Sequence, residues 1–274
     1  LKNLLLLCIF NLAAQSPYPQ DYFRSPLDIQ LVLSGTFAEL RSNHFHSGLD
    51  IKTNGKEGLE VYSIAEGYVS RIKISRYGYG KALYITHPNG YTSVYAHLQK
   101  FSPTIEQYIK RQQYQKEQFE IELFPKSSTL EIDADEMVAY SGNSGGSSGP
   151  HLHFEIRDKH ERPINPMLFG FDIKDTTAPE LYQLYAYPIS DRSHVEGNQE
   201  KKKIRLRKQA NGNYIAEPLK AFGTIGFGIV ANDRQDYAAN KNGVYKIEAF
   251  FNGKKSIVVD FKRFSFTETK HINR

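Results

Sequence analysis

A single cysteine, Cys8, occurs in 274 residues. That count excludes an intramolecular disulfide and any metal site built on thiolates, so a bound metal must take its ligands from His, Asp or Glu. Long apolar runs are scarce as well. The run at Leu4–Phe10 is too short to span a bilayer. Lys2 before it and Asn11-Leu12-Ala13-Ala14-Gln15 after it give the order of a secretory signal peptide cleaved near Ala14, so export is expected. A lipid anchor through Cys8 fits less well, because Leu7 stands where a small residue is wanted. Internal repeats and long low-complexity tracts are absent from the sequence.

Hydrophobic residues at 40% and aromatics at 13% are enough for a real core, and the length suits one large or two medium domains. The formal net charge of +5 suits an anionic polymer, whether nucleic acid, anionic lipid or a bacterial wall polymer. On charge alone the favoured reading is a merely soluble basic protein.

Between Phe23 and Phe171 the chain reads as many short strands. Ile29–Ser34, Leu59–Ile64, Gly67–Ser75, Lys81–His87 and Tyr91–His97 are rich in β-branched and aromatic residues, and glycine-containing turns separate them. Ser102-Pro103 reads instead as an N-cap with proline at the first helical position, and Ile105, Tyr108 and Ile109 then recur at helical spacing to about Lys116. This helix is expected to pack over the sheet edge or to flank a cleft. Asp172–Pro179 reads as a linker. Beyond it, Val244–Phe251 and Lys255–Phe261 flank Asn252-Gly253 as a hairpin, with Tyr245, Ile247, Ala249 and Phe251 expected on its buried face. Lys201–Lys208 reads as a solvated strand face or, more sharply, a contact for a polyanion.

Two segments carry chemistry. His46 and Asp50 stand four apart around Gly48, which permits a turn or a close backbone approach. In His151-Leu152-His153-Phe154-Glu155-Ile156 the alternation has period two. On a strand it puts His151, His153 and Glu155 on one face and the three apolar side chains on the other. Either pair alone is weak evidence for a site; together with Val94–Leu98 and the glycine-rich run Gly142–Pro150 they gain weight. That run lacks the Lys-Ser/Thr of a phosphate loop and precedes a strand, so it reads as a tight loop lining a cleft. Glu155 reads as a partner for a ligand imidazole or, equally, as an ion-paired carboxylate. His87, His160, His194 and His271 have no motif context and are expected at the surface.

Phe37–Asp50 (FAELRSNHFHSGLD), Tyr91–Leu98 (YTSVYAHL) and Ser141–Glu155 (SGNSGGSSGPHLHFE) resemble, in order, the three signature segments of the lysostaphin-type, LytM-like zinc endopeptidases. The resemblance covers about Pro26 to Phe171. It implies a mainly β fold, an antiparallel β-sheet peptidase core of the duplicated hybrid motif type with its site in a groove. It further implies one Zn2+ per catalytic domain, His46, Asp50 and His153 as metal ligands, and His97 and His151 as catalytic imidazoles. The activity implied is hydrolysis of peptide bonds in peptidoglycan stem or cross-link peptides, by attack of a zinc-bound water that the two histidines assist. The partners expected are those peptides, without nucleic acid and without a transmembrane anchor. The rival reading is a catalytically silent wall-binding or hydrolase-activating protein that uses the same fold.

The expected organisation is a signal peptide at 1–14, an N-terminal linker at 15–25, the endopeptidase domain at 26–171 and a linker at 172–179. A β-rich region at 180–274, which resembles part of an immunoglobulin-like β-sandwich and is read as an incomplete domain, completes it. Arg41, Asn43, Asn143 and Ser144 are further expected along the substrate groove. The chain departs from the compact family pattern in a helical insertion at about 101–136, which is expected to wall or lid the groove.

Overall fold

The structure, a computed structural model, describes residues 16–273; Cys8 and the leader-like segment lie outside them. The first strands are β1 (Leu33–Gly35), β2 (Leu49–Lys52), β3 (Glu60–Tyr62), β4 (Gly67–Ile74), β5 (Lys81–Thr86), β6 (Thr92–Ala96) and β7 (Lys100–Phe101). Helix α1 (Pro103–Lys116) follows, then β8 (Ile121–Leu123), β9 (Glu131–Ile132), β10 (Met137–Tyr140), β11 (His151–Arg157) and β12 (Pro163–Ile164). An antiparallel sheet runs in the order β1-β2-β11-β6-β5-β4-β8, with β12 on β11 and β9 on β4. A smaller sheet, β3-β10-β7, accompanies it. The fold is thus mainly antiparallel β with few helices, as expected.

The alternation of β11 explains its place. Leu152, Phe154 and Ile156 are at most 1% exposed and sit in the main core with Leu49 and Ile51 of β2. Burying side chains of this size contributes roughly 1.5–3 kcal/mol each, enough to fix the register of both strands. The opposite faces of the same strands are then left to the polar side chains.

Helix α1 begins at Pro103 as read from the sequence, although Ser102 makes no side-chain capping bond. Ile105 and Ile109 are buried in the main core, so the helix packs. The remainder of the insertion joins the sheet, because β8 and β9 both pair with β4. None of its described residues lines the cleft that holds the histidines.

Three regions differ from their sequence reading. His87 is 3% exposed, with Nδ1 donating to the Glu66 carbonyl at 2.7 Å and Nε2 2.8 Å from Ser93 Oγ. The end of the β5–β6 hairpin is covered by Phe23, whose ring centroid lies 5.6 Å from that of His87. Residues 16–25 are docked too: Gln20 donates to the Leu168 carbonyl, and Tyr18 and Phe23 pack on Phe169. Beyond residue 179 the chain is β, with Glu180–Pro188 between Lys202–Ile204 and Ile225–Asn232 in one three-stranded sheet. The remaining described strands there form two-stranded ribbons, and Val195 and Ala216 from two of them pack with Ala186 and Ile204 of the three-stranded sheet. The ribbon Lys246–Phe251/Lys254–Asp260 turns at Asn252-Gly253, both at positive φ, as the type I′ reading requires. Its expected apolar face is open: Tyr245 is 39% and Phe251 72% exposed, and among the described residues the pair forms a two-stranded sheet of its own.

Candidate active site

Strand register brings the site together. Asp50 on β2 and His153 on β11 are direct cross-strand partners, and Ala96, the residue before His97, pairs with His153 from the other side. Neighbours opposed in this way have Cβ atoms about 5 Å apart, so their side chains meet. His46 enters from the turn before β2. Its Nε2 lies 3.0 Å from Asp50 Oδ1 and 3.1 Å from His153 Nδ1, and His153 Nδ1 lies 2.9 Å from Asp50 Oδ1.

Each donor is aimed by a bond on its far side. His46 Nδ1 donates to the Thr36 carbonyl at 2.8 Å, which turns Nε2 inward. His153 Nε2 lies 2.9 Å from Glu155 Oε1, which turns Nδ1 inward. Arg41 Nη2 holds Asp50 Oδ2 at 3.1 Å, leaving Oδ1 for the centre. Burial works to raise the Asp50 pKa, but hydrogen bonds from His151, His153 and His46 outweigh it and hold the carboxyl far below its usual range. Burial alone would lower the pKa of His153, yet its bonds to Asp50 and Glu155 raise it to about 9.

Two further imidazoles flank this group. His97 has φ 57, a left-handed conformation that costs a non-glycine residue about 1–2 kcal/mol. The bond from its backbone N–H to the Tyr79 carbonyl at 2.9 Å holds it there. Its Nδ1 donates to the Ser144 carbonyl at 2.8 Å, and burial foremost, with the charge of His153, lowers its pKa to about 4. His151 Nδ1 lies 2.8 Å from the Gly149 carbonyl, and its Nε2 lies 3.5 Å from Asp50 Oδ1. The two rings are 4.7 Å apart between centroids. With Nδ1 committed to a carbonyl in each, Nε2 is the nitrogen left for proton exchange.

The glycine-rich run does line the cleft, through Gly146, Ser147 and Ser148. It packs against the loop at Gly78–Gly80 so closely that a Cβ on Gly145 would sit 2.3 Å from the Gly80 nitrogen. Among the four groove residues expected, Arg41 lines the cleft and Ser144 braces it, its Oγ accepting from Lys81 N and donating to the Leu98 carbonyl. Asn43 is exposed and hydrogen-bonds His44, and neither it nor Asn143 is among the cleft-lining residues.

Four residues at the site were not placed there from the sequence. Glu155 is fully buried and accepts from Ser47 Oγ at 2.7 Å, from Tyr79 Oη and from Arg157 Nε at 2.7 Å. The bond and charge of Arg157 and His153 overcome burial and hold its carboxyl well below the usual range. The alternation of β11 carried a signal for Glu155; Tyr79, Ser47 and Phe266 had none.

His46, Asp50 and His153 offer ligand atoms within 4.8 Å of one another. The separations of 2.9–3.1 Å gather one donor atom from each residue around a common point, and a set of two imidazoles and a carboxylate suits zinc. These three face an open cleft of about 380 Å³, so a further position beside them is accessible to solvent and ligand.

Fold and site together define an antiparallel β domain with a His–Asp–His group able to hold one metal ion. Residues 44–114 match the model of peptidase family M23. It is 30% identical over 138 residues to the DD-carboxypeptidase/endopeptidase Mpg of Neisseria meningitidis serogroup B, a match covering 50% of this chain and 26% of that protein. It is 28% identical over 156 residues to the peptidoglycan DD-endopeptidase ShyB of Vibrio cholerae, covering 57% and 30%. The chain therefore spans less than a third of the length of these curated relatives. Among solved structures, a zinc-containing peptidase from Vibrio cholerae is similar with TM-score 0.40 and 25% identity over 54% of this chain and 40% of that one. The catalytic domain of lysostaphin from Staphylococcus simulans is similar with TM-score 0.36 and 21% identity, covering 50% and 88%.

Proposed function

We propose that this protein is a zinc-dependent endopeptidase that hydrolyses peptide bonds in the stem or cross-link peptides of peptidoglycan. The observation that carries the reading is the convergence of His46 Nε2, Asp50 Oδ1 and His153 Nδ1 in an open cleft beside the His97–His151 pair. A docking protein needs none of these five side chains, and all five are present. The peptidoglycan substrate is supported by the relatives' activity, and the net charge of +5 is compatible with an anionic polymer.

The chemistry that zinc supplies when bound is a lowered water pKa, near 7, and polarisation of a carbonyl. The rest falls to the chain. Asp50, pinned by Arg41, keeps one oxygen toward the site. The proton given up by the attacking water passes to an Nε2 of the His97–His151 pair, and from there to the departing amine. The pair's cation also stabilises the charge that develops on the carbonyl oxygen. Action on the wall requires a location in the cell envelope, a reading supported by the signal-peptide-like order of residues 1–14.

Digestion of purified sacculi with mass analysis of the released fragments tests the reading. New free amino termini are expected with the wild-type protein alone, not after chelation and not with His153→Ala. Equal release by all three preparations would overturn it.

A further inference from the structure

Residues 261–269 follow the β ribbon at Lys246–Asp260, far downstream of β12, yet they are built into the metal-bearing domain. Asn165 N–H donates to the Lys262 carbonyl at 2.8 Å, Ile164 bridges Arg263, and Arg263 pairs with Asp158 at 3.3 Å. The Phe264 ring lies 5.1 Å from Phe37 and 5.8 Å from Phe45. The segment is then tied to both ligand-bearing pieces of backbone. Thr269 Oγ1, on a residue 8% exposed, accepts from the N–H of Phe45, the residue before His46. The Phe266 ring lies 4.8 Å from the guanidinium of Arg157, which holds Glu155 and through it His153.

Phe266 faces the cleft itself. It lines the cleft with His46, Asp50, His97, His151 and His153, and it is 40% exposed. Every other side chain described along that cleft carries a polar atom or belongs to glycine. A fixed aromatic face beside a polar reaction centre gains free energy only when something apolar covers it. The cleft keeps its volume of about 380 Å³ with the ring in place, so the ring walls the cleft without filling it.

Resting on the peptidase reading, we infer that Phe266 is a substrate-binding residue. Its ring packs against the aliphatic side chain or methylene stem of a residue flanking the scissile bond. The segment 261–269 is thus part of the active site, although it lies outside the stretch matched to the family.

The test uses the full zinc-loaded chain and a soluble cross-linked muropeptide. Phe266→Ala is expected to raise KM roughly tenfold, the loss typical of truncating an aromatic anchor, with kcat within about twofold of wild type. Zinc content should be unchanged, and Phe266→Leu, which keeps an apolar surface, should recover most of the KM. Calorimetric binding of the same muropeptide to chelated protein gives a second readout, with the same ranking expected. Unchanged KM and binding in Phe266→Ala would overturn the inference. So would a rise in kcat/KM, which marks a plug, or a loss of zinc, which marks a purely bracing role. A wild-type protein that neither binds nor cleaves the muropeptide would instead overturn the peptidase reading, and the inference with it.

Discussion

Glu155 Oε1 lies 2.9 Å from His153 Nε2, and this bond sets which nitrogen of the imidazole faces the metal group. With Nε2–H donated to a fully buried carboxylate, the lone pair available for a metal is on Nδ1. Glu155→Gln is expected to weaken zinc affinity by about 10–100-fold, the usual cost of removing such a partner. The same change leaves the buried Arg157 with Glu161 as its remaining carboxylate partner, at a cost of up to about 3–5 kcal/mol in stability. The double variant Glu155→Gln/Arg157→Met separates the effects: stability should recover and zinc affinity should not. Competition with a fluorescent chelator, alongside thermal unfolding, measures both. Full recovery of affinity in the double variant would show that Glu155 acts only as an ion-pair partner.

His97 and His151 stand beside the ligand group without completing it, each with Nδ1 on a backbone carbonyl. Replacing either by Ala should lower turnover by about 100-fold or more while leaving zinc bound. His46→Ala and His153→Ala should lose the metal. Elemental analysis of dialysed protein beside a peptidase assay distinguishes the two classes. Loss of zinc from both His97→Ala and His151→Ala would refute the division of roles.

The site was largely legible because its residues sit where local pattern and chemistry coincide. The period-two alternation of His151–Ile156 predicted which side chains would anchor in the core and which would face the site, and Leu152 and Phe154 are indeed buried. Ser102-Pro103 marked the start of α1. What escaped depends on tertiary contact. His87 looks like a turn residue, but Phe23 packs on its ring and the Glu66 carbonyl and Ser93 Oγ take its two nitrogens. Phe266 carries no motif and reaches the cleft only because Phe264 and Thr269 dock on Phe37 and Phe45. The ribbon at Lys246–Asp260 shows the converse: alternation predicts an apolar face, but burial needs a partner sheet that the sequence pattern does not reveal.

Metal uptake should be coupled to proton release. The bonds to Asp50 and Glu155 outweigh burial and raise the His153 pKa to about 9, so below that pH the metal-free ring carries a proton. A metal on Nδ1 must displace it. Apparent zinc affinity should therefore rise with pH through the neutral range by up to about tenfold per unit from this group, and level off above pH 9. Near pH 7.5, calorimetric titrations in buffers of different ionisation enthalpy should report about one proton released per zinc. Heats independent of the buffer would contradict the assignment of His153 as a ligand protonated in the metal-free state.

Gly48 shows how closely the two ligand-bearing strands must approach. A Cβ there would lie 2.3 Å from the Phe154 carbonyl oxygen and 2.8 Å from Glu155 Cγ. Its φ is not in the left-handed region, so the requirement is for space, not for an unusual backbone. Neither neighbour can yield cheaply, since Phe154 pairs with Leu49 in the ladder and Glu155 is bonded to Ser47, Tyr79, His153 and Arg157. Gly48→Ala should therefore pry β2 from β11 at the point where Asp50 meets His153. Expected are a loss of roughly 1–3 kcal/mol in stability, as for other overpacked sites, and a fall in zinc affinity. Gly149, where a Cβ meets nothing within 4 Å and φ is not in the left-handed region, serves as the control. Denaturant unfolding of the two variants with and without zinc decides the matter. Wild-type affinity in a folded Gly48→Ala protein would mean that the strands can part without opening the metal group.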